Sequence, residues 1–291
     1  MKRNLVIVGN GFDLHHNMKT RYTDYRNYLI NSGKKDIVDC FELSLEGDYS
    51  RKLTNHLWSK LEEVIAVLPY EQAYIYLWVH DDKESELYKC GFQNEVENMT
   101  SYWPGIKDNL APWIATVKYT DVCENLKKII NSESNFISFN YTNTLEFLYD
   151  ISKDDICYIH GDYSNVDELI LGHRNNSYYP EWDDNNEEDV RLINAGKYME
   201  QFRKETYKPI ETICESHSTF NHFLSEYRYL DIYMMGLSYN DIDKVYIEEI
   251  RKAQDAVWHF VCYSEEDFNR VFDYAKDIGV PEYSVITYED I

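Results

Sequence analysis

Short apolar runs that alternate with amphipathic helical patterns constrain the fold of this chain more than any other feature. Near the carboxyl end, three such runs lie at Ile232–Met235, Val257–Cys262 and Val285–Thr287. Between them, apolar residues recur with helical spacing from Ile242 to Ala253 and from Phe268 to Ile278. Strands that alternate with helices of this length indicate βαβ units, and hence a mainly parallel sheet with helices on both faces.

Further apolar runs extend the same pattern towards the amino end. They are β-branched or aromatic and largely unalternated, which is typical of strands covered on both faces. These runs are Leu5–Val8, Phe136–Phe139, Ile156–Ile159 and Leu169–Leu171. The sequence therefore predicts an α/β fold of the Rossmann-like class with seven strands.

Two amphipathic helical patterns interrupt the alternation, from Leu53 to Leu68 and from Val122 to Ile130. They predict a helical insertion over 50–130, which would serve as a lid or as a surface for a partner. The α/β core would then consist of residues 1–49 and 131–291.

A second insertion is expected within the core, over 173–230. It would contain an acidic loop and a helical stretch from about 190 to 228, which Pro209 should break or kink. Its approach, Glu181–Asp189, holds six acidic residues and is expected to be a solvated loop.

The charge balance limits the classes of partner. Lysine and arginine number 29 against 52 aspartate plus glutamate, for a formal net charge of −23. Nucleic-acid phosphates are bound by cationic side chains, so a net anion of this size disfavours a nucleic-acid partner.

No targeting or membrane signal is visible in the sequence. The apolar run that follows Lys2 and Arg3 stops at Gly9, too short for a signal peptide, and no run approaches the ~18 apolar residues of a membrane span. The six cysteines are scattered without a C-x-x-C pair, which favours reduced core thiols over a zinc site. We therefore expect a cytoplasmic protein with no membrane partner.

The first candidate motif is a glycine-containing turn directly after the first predicted strand. It consists of Gly9, Asn10, Gly11, Phe12 and Asp13. Glycines at a strand-to-helix turn let the backbone approach a phosphate. The dinucleotide fingerprint needs a third glycine at position 14, where this chain has leucine, so a dehydrogenase is disfavoured and a simple tight turn remains an alternative.

The second motif follows another predicted strand and contains Asn140, Tyr141 and Thr142. An asparagine at the carboxyl end of a parallel strand can orient a ribose hydroxyl or a water molecule. Taken alone, this asparagine is better interpreted as the cap of a helix over Thr142–Tyr149 than as a ligand-binding residue.

Two further motifs end predicted strands. His160 and Gly161 combine a side chain that titrates near neutrality with a residue that admits a close ligand. Gly236 and Ser238 place small residues and a hydroxyl at a fourth strand end. Because the carboxyl ends of parallel strands share one edge of the sheet, the four motifs are expected to line a single crevice.

Together these motifs, in this order, resemble the AbiH abortive-infection family. The chain is also distantly similar to the sirtuin superfold, particularly the sirtuin-like NAD-consuming effectors of bacterial phage defence. That likeness implies that the Gly9–Asp13 turn holds a pyrophosphate and that Asn140 orients the nicotinamide ribose. It also implies that His160 is the catalytic histidine and that Gly236 and Ser238 contact the adenosine side.

Two departures from the sirtuin pattern limit what the likeness implies. Sirtuins have an aspartate two residues after the asparagine, whereas this chain has Thr142, so the ribose-orienting carboxylate is either missing or supplied from elsewhere. The four-cysteine zinc module of protein deacylases has no counterpart. Both departures argue against protein deacetylation, and neither excludes simple hydrolysis of NAD.

The resemblance therefore implies an enzyme that hydrolyses NAD at the nicotinamide–ribose bond, with His160 and Asn140 as catalytic residues and no metal. The cofactor-binding set would comprise Gly9, Asn10, Gly11, Phe12, Asp13, Tyr141, Thr142, Gly161, Gly236 and Ser238. His15 and His16 are expected at the surface or the substrate rim rather than on a metal.

Several alternatives stay open at the level of sequence. One is a nucleotide-binding sensor that does not turn its ligand over, a second is a nuclease effector, and a third is a structural protein that recruits a partner. NAD and NADP are not distinguished. A homo-oligomer and a phage-derived trigger remain open as partners.

Overall fold

The fold is taken from a computed structural model of the chain. The residues it describes are 2–43, 51–66, 94, 96–174, 190–239, 242–264 and 267–291. They divide into two compact units. The sheet unit comprises residues 1–21, 114–170 and 209–291, and the helical unit comprises 22–113 and 171–208.

A sheet of six parallel strands forms the centre of the sheet unit, in the order β3-β2-β1-β4-β5-β6. The strands are β1 (Asn4–Val8), β2 (Ser134–Ser138), β3 (Ile156–Tyr158), β4 (Asp231–Met235), β5 (Val257–Cys262) and β6 (Tyr283–Thr287). The chain builds outward from β1 to β3 and then returns to β4 on the other side of β1. The switch point of this doubly wound sheet therefore lies between β1 and β4, where such folds bind ligands.

Helices cover both faces of the sheet. They are α1 (Asn10–His15), α7 (Thr144–Tyr149), α9 (Ile210–Ser216), α10 (Ser218–Glu226), α11 (Lys244–Ala253) and α12 (Phe268–Asp277). Alternate strand residues point to opposite faces, so Ile7 packs in one apolar cluster with Ile247 of α11, and Val6 packs in the other with Phe12 of α1. The predicted α/β class is confirmed.

The helical unit contains α2 (Tyr22–Asn31), α3 (Lys35–Leu43), α4 (Arg51–Ser59), α5 (Leu61–Val64), α6 (Tyr102–Ile114) and α8 (Val190–Thr206). The helix predicted from Leu53 to Leu68 is found as α4 and α5, which end at Val64, and positions 67 and 68 lie outside the described residues. Pro209 separates α8 from α9, and the predicted break there is confirmed. The domain boundaries inferred from the sequence stay a prediction.

Leu169–Leu171 does not form the strand that its composition predicts. A 3₁₀ turn at Val166–Glu168 precedes it, and Ile170 makes only one backbone hydrogen bond to the end of β3, from its N–H to the carbonyl of His160 at 3.0 Å. Leu169 and Leu171 are each 4% exposed. The segment is apolar because it is a buried loop, and the prediction of a seventh strand was wrong.

The helix predicted over Val122–Ile130 is also wrong in length. Only a 3₁₀ helix at Glu124–Lys128 forms there. Cys123 before it is extended, and its N–H donates to the hydroxyl of Tyr149, so the helix cannot begin earlier. The apolar spacing reflects the burial of side chains of this short 3₁₀ helix, such as Leu126, against the sheet.

Some expectations fall partly or wholly outside the described residues. The acidic loop Glu181–Asp189 lies outside them, as does Cys90. The other five cysteines are free thiols. Among the helices that the structure describes, none combines the length and the apolar character that crossing a bilayer requires.

Candidate functional site

The four candidate motifs follow four neighbouring strands at the same edge of the sheet. His160 and Gly161 follow β3, Asn140–Thr142 follows β2, Gly9–Asp13 follows β1, and Gly236 with Ser238 follows β4. The last two flank the switch point. All of these residues belong to the sheet unit.

Gly9, Gly11 and Gly236 let two turns pack backbone against backbone at the switch point. The N–H of Gly11 donates to the carbonyl of Gly236 at 2.8 Å, and the N–H of Gly9 donates to that of Met235 at 2.9 Å. A Cβ on Gly9 or Gly11 would lie 2.7 or 2.6 Å from Gly236 atoms. Gly236 itself has φ +72, and a Cβ there would lie 2.2 Å from the backbone nitrogen of Phe12.

The backbone donors of the first turn are largely engaged within the protein. The N–H of Phe12 donates to the carbonyl of Gly9 at 2.9 Å, in addition to the bonds made by Gly9 and Gly11. The Phe12 ring is fully buried and contacts the His16 ring, with centroids 4.6 Å apart. Asn10, by contrast, is exposed at the first position of α1. A phosphate at this turn would therefore meet Asn10 rather than the three N–H groups.

The carboxyl group of Asp13 is the centre of a buried polar cluster. The hydroxyl of Thr142 donates to one carboxylate oxygen at 2.6 Å, and the hydroxyl of Thr144 donates to the other at 2.7 Å. Asp13 is 1% exposed. Desolvation raises its pKa from 3.8 to about 6, against the lowering effect of hydrogen bonds from Thr142, Thr144 and Asn140.

This cluster places a buried carboxylate next to Thr142, because the Thr142 hydroxyl donates to Asp13. Sequence reasoning placed Asp13 only in the phosphate-binding turn. The available signal was the pair of threonines at 142 and 144, whose hydroxyls need acceptors when buried.

Asn140 joins the ends of β1 and β2. Its side-chain amide donates to the carbonyl of Gly9 at 3.0 Å, and its backbone N–H donates to the hydroxyl of Ser138 at 3.2 Å. Asn140 is 7% exposed. Because the Asn140 amide also lowers the pKa of the Asp13 carboxyl, the two motifs after β1 and β2 form one polar group.

Tyr141 and Gly161 hold the loop after β3. The hydroxyl of Tyr141 donates to the carbonyl of Ile170 at 2.8 Å. Gly161 has φ +77, and a Cβ there would lie 2.5 Å from the carbonyl oxygen of Glu168. Position 161 therefore requires a glycine, because φ is positive there and the Glu168 backbone passes close to it.

His160 is buried in an aromatic setting at the end of β3. Its ring is edge-on to Phe139 and to Tyr246, with centroids 5.5 and 5.6 Å apart. Its Nε2 lies 3.7 Å from a carboxylate oxygen of Asp243. Phe139 and Tyr246 belong to the same apolar cluster as Ile247 of α11, so these ring contacts place His160 on the α11 face of the sheet.

Ser238 stands apart from the polar group at the ends of β1 and β2. Its side chain is exposed, and its carbonyl accepts from the guanidinium of Arg270 at 3.4 Å. The structure therefore joins Gly9, Asn140, Thr142 and Asp13, places His160 against Phe139 and Tyr246, and leaves Asn10 and Ser238 exposed.

The two histidines after the first turn differ from each other. His15 is half-buried and stacks on Tyr288 at 3.9 Å, whereas His16 is 1% exposed, so its predicted surface position was wrong. The Nδ1–H of His16 donates to the carbonyl of Phe12 at 2.8 Å, and its Nε2 lies 2.7 Å from the hydroxyl of Tyr149. Burial lowers the pKa of His16. Within the described residues, no group of three histidine, cysteine or acidic side chains is arranged to hold a metal.

Comparison with known proteins gives one family match. The family model described as "Bacteriophage abortive infection AbiH" matches residues 5–263, which include all four motifs. No curated protein and no solved structure matches the chain. The more distant likeness to sirtuins stays a prediction.

Proposed function

The chain belongs to the AbiH family of bacteriophage abortive infection proteins, and from this premise we propose that it hydrolyses NAD at the nicotinamide–ribose bond. The family assigns a role in abortive infection. The chemistry is our inference, and it rests on the residues at the carboxyl ends of β1, β2 and β3. Loss of NAD in the infected cell would arrest the host before the phage matures.

The observation that supports this proposal most is the carboxylate of Asp13 beside Thr142 and Asn140. Cleavage of the glycosidic bond passes through an oxocarbenium-like state, which places positive charge on the ribose. With a pKa of about 6, Asp13 is mostly ionised at neutral pH. A fixed negative charge in a buried site stabilises such a state far more than one in water.

The reaction needs one base besides this carboxylate. The C1′–N bond breaks with its electron pair, so nicotinamide leaves as a neutral molecule and requires no general acid. The oxygen of a water molecule then bonds to C1′, and His160 accepts the proton that this water releases. Asn140 orients the ribose or the water through its amide.

The exposed ends of the two turns provide the contacts for the rest of the dinucleotide. Asn10 and Ser238 are exposed on either side of the switch point, where ligands of doubly wound sheets bind. Holding the two phosphates there would fix the reacting carbon near Asn140. Positioning of this kind supplies up to roughly 7–11 kcal/mol in favourable cases.

The burial of Asp13, Asn140 and His160 bears on control of the reaction. Each is at most 7% exposed, so in this conformation the ribose would not reach them. A site of this kind has low activity until something favours its open form. This fits an effector that must stay silent in the uninfected cell.

The test is release of nicotinamide from NAD by the purified full chain, followed by chromatography. We expect His160→Gln to lower turnover by ~10²–10⁴-fold and Asp13→Asn by ~10²–10³-fold, with Asn140→Ala losing most of it. His222→Gln, which alters an exposed histidine of α10, is the matched control. Equal turnover by wild type and His160→Gln would refute the assignment.

A sensor that binds nucleotide without turning it over is the second candidate. It is favoured by the engagement of the Gly9, Gly11 and Phe12 N–H groups, which leaves few donors for a tightly held pyrophosphate. Calorimetry with NAD and ADP-ribose separates the two functions. Equal affinities and no nicotinamide, even after long incubation, would favour the sensor.

A further inference from the structure

Asp243 occupies a helix-capping position without capping the helix. It is the residue before α11, where aspartate normally accepts a hydrogen bond from the second or third backbone N–H of the helix. Its side chain makes no such bond. A cap of this type usually stabilises a helix by ~1 kcal/mol, so the orientation of this carboxylate has another cause.

The carboxylate faces His160 instead. The distance from Oδ1 of Asp243 to Nε2 of His160 is 3.7 Å, within ion-pair range. The His160 side chain is 3% exposed and that of Asp243 is 23% exposed. Apolar rings of Phe139 and Tyr246 flank the imidazole, and charges attract more strongly in such surroundings than in water.

Asp162 lies two residues after His160, but its carboxylate is hydrogen-bonded to other groups. Asp162 accepts from the ammonium group of Lys153 at 2.8 Å and from the N–H of Ser164 at 2.9 Å. Besides burial, Asp243, Cys214, Glu211 and Cys157 all raise the pKa of Tyr246, whose ring is edge-on to the imidazole. Of these, Asp243 is the one within ion-pair distance of the imidazole.

We propose that Asp243 is a positioning residue that orients the imidazole of His160 and stabilises its protonated form. This rests on the proposed function for the role of His160. Because Asp243 faces Nε2, Nδ1 is the nitrogen that takes the proton from water. A carboxylate at ion-pair distance from one ring nitrogen favours the imidazolium that forms.

Asp243→Asn tests the proposal with little change of shape. The Asp243 side chain makes no capping bond and asparagine has nearly the same shape, so the melting temperature should stay the same at a pH where His160 is neutral. We expect kcat for nicotinamide release to fall ~10–100-fold with KM unchanged, less than for loss of the base itself. Asp243→Glu should recover part of kcat, and Asp273→Asn, an exposed carboxylate of α12, is the control.

A second measurement does not depend on turnover. The imidazole of His160 is titrated by NMR in wild type and in Asp243→Asn, and the midpoint should move to lower pH in the variant. An unmoved midpoint together with unchanged kcat would overturn the proposal. If wild type releases no nicotinamide, the proposed function fails, and the NMR midpoint alone decides whether Asp243 acts on His160.

Discussion

Asp13 is a buried acid whose protonation changes between pH 4 and neutral. Burial raises its pKa from 3.8 to about 6, so the folded protein holds this proton at pH values where the unfolded chain has lost it. The stabilisation from this group is complete below about pH 4 and is lost as the pH rises through 6. Its size is about 3 kcal/mol.

Asp13→Asn should remove this dependence. The free energy of unfolding of wild type, minus that of the variant, should fall by about 3 kcal/mol between pH 4 and pH 7. Urea unfolding at several pH values measures it, with Asp273→Asn as the exposed control. A difference that stays constant with pH would contradict a raised pKa for Asp13.

Gly236 meets two constraints, a positive φ and a close backbone contact. Comparison with Gly33, which meets only the first, separates them. Gly236 has φ +72 and a site for Cβ 2.2 Å from the Phe12 nitrogen, whereas Gly33 has φ +75 and nothing within 4 Å. Gly33→Ala should therefore cost only the ~1 kcal/mol of a left-handed backbone. Gly236→Ala should cost more than about 2 kcal/mol, because the two turns must also separate.

Chemical denaturation of the two alanine variants checks this prediction. Equal loss of stability would mean that the close approach of the two turns at the switch point does not constrain this residue. Retained stability in Gly236→Ala would show that neither the backbone conformation nor the close approach requires a glycine at this position.

At the scale of elements, the apolar runs correctly predicted the strands of the sheet, but they also predicted a strand where a buried loop forms. The runs after Asn4 and Ser134 form β1 and β2, because buried parallel strands need continuous apolar side chains. Leu169–Leu171 has the same composition and is a buried loop. Composition reports burial, and only the pairing partners decide whether a buried segment becomes a strand.

For the candidate site, the sequence likewise predicted where the residues lie but not which side chains contact each other. Topology alone predicted that Asn140, His160 and Gly236 lie along one edge, because carboxyl ends of parallel strands coincide. The contact between Asp13 and Thr142 depends on side-chain directions of α1 and of the loop after β2. Asp243 directly precedes α11, far from His160 in sequence, and no local pattern pairs them.

A buried ion pair joins elements of the helical unit. Nζ of Lys208 lies 2.6 Å from a carboxylate oxygen of Glu62, with side-chain exposures of 2% and 15%. The hydroxyl of Tyr22 also donates to Glu62. Lys208→Met should destabilise the protein by about 3–5 kcal/mol, because it leaves a buried charge uncompensated.

Thermal unfolding of Lys208→Met tests this pair. Lys204→Met removes an exposed pair with Glu200 on α8 and should leave the melting temperature unchanged. The double variant Lys208→Met with Glu62→Leu should recover much of the loss. Equal melting temperatures for both single variants would show that burial does not distinguish the two pairs.

At the scale of the whole molecule, charge and architecture favour a small nucleotide over a nucleic acid. The net charge of −23 opposes binding to a polyanion, whereas one dinucleotide needs only local contacts at a strand edge. The doubly wound sheet offers such an edge at the switch between β1 and β4. Membership of the AbiH family adds the setting, which is abortive infection.

The most direct test of NAD hydrolysis at this edge is intracellular NAD after induction of the wild-type gene and of His160→Ala, at matched expression and with phage present. We predict that NAD collapses with wild type and stays constant with His160→Ala. Growth arrest by wild type with unchanged NAD would contradict the proposed chemistry and point to another nucleotide as the substrate.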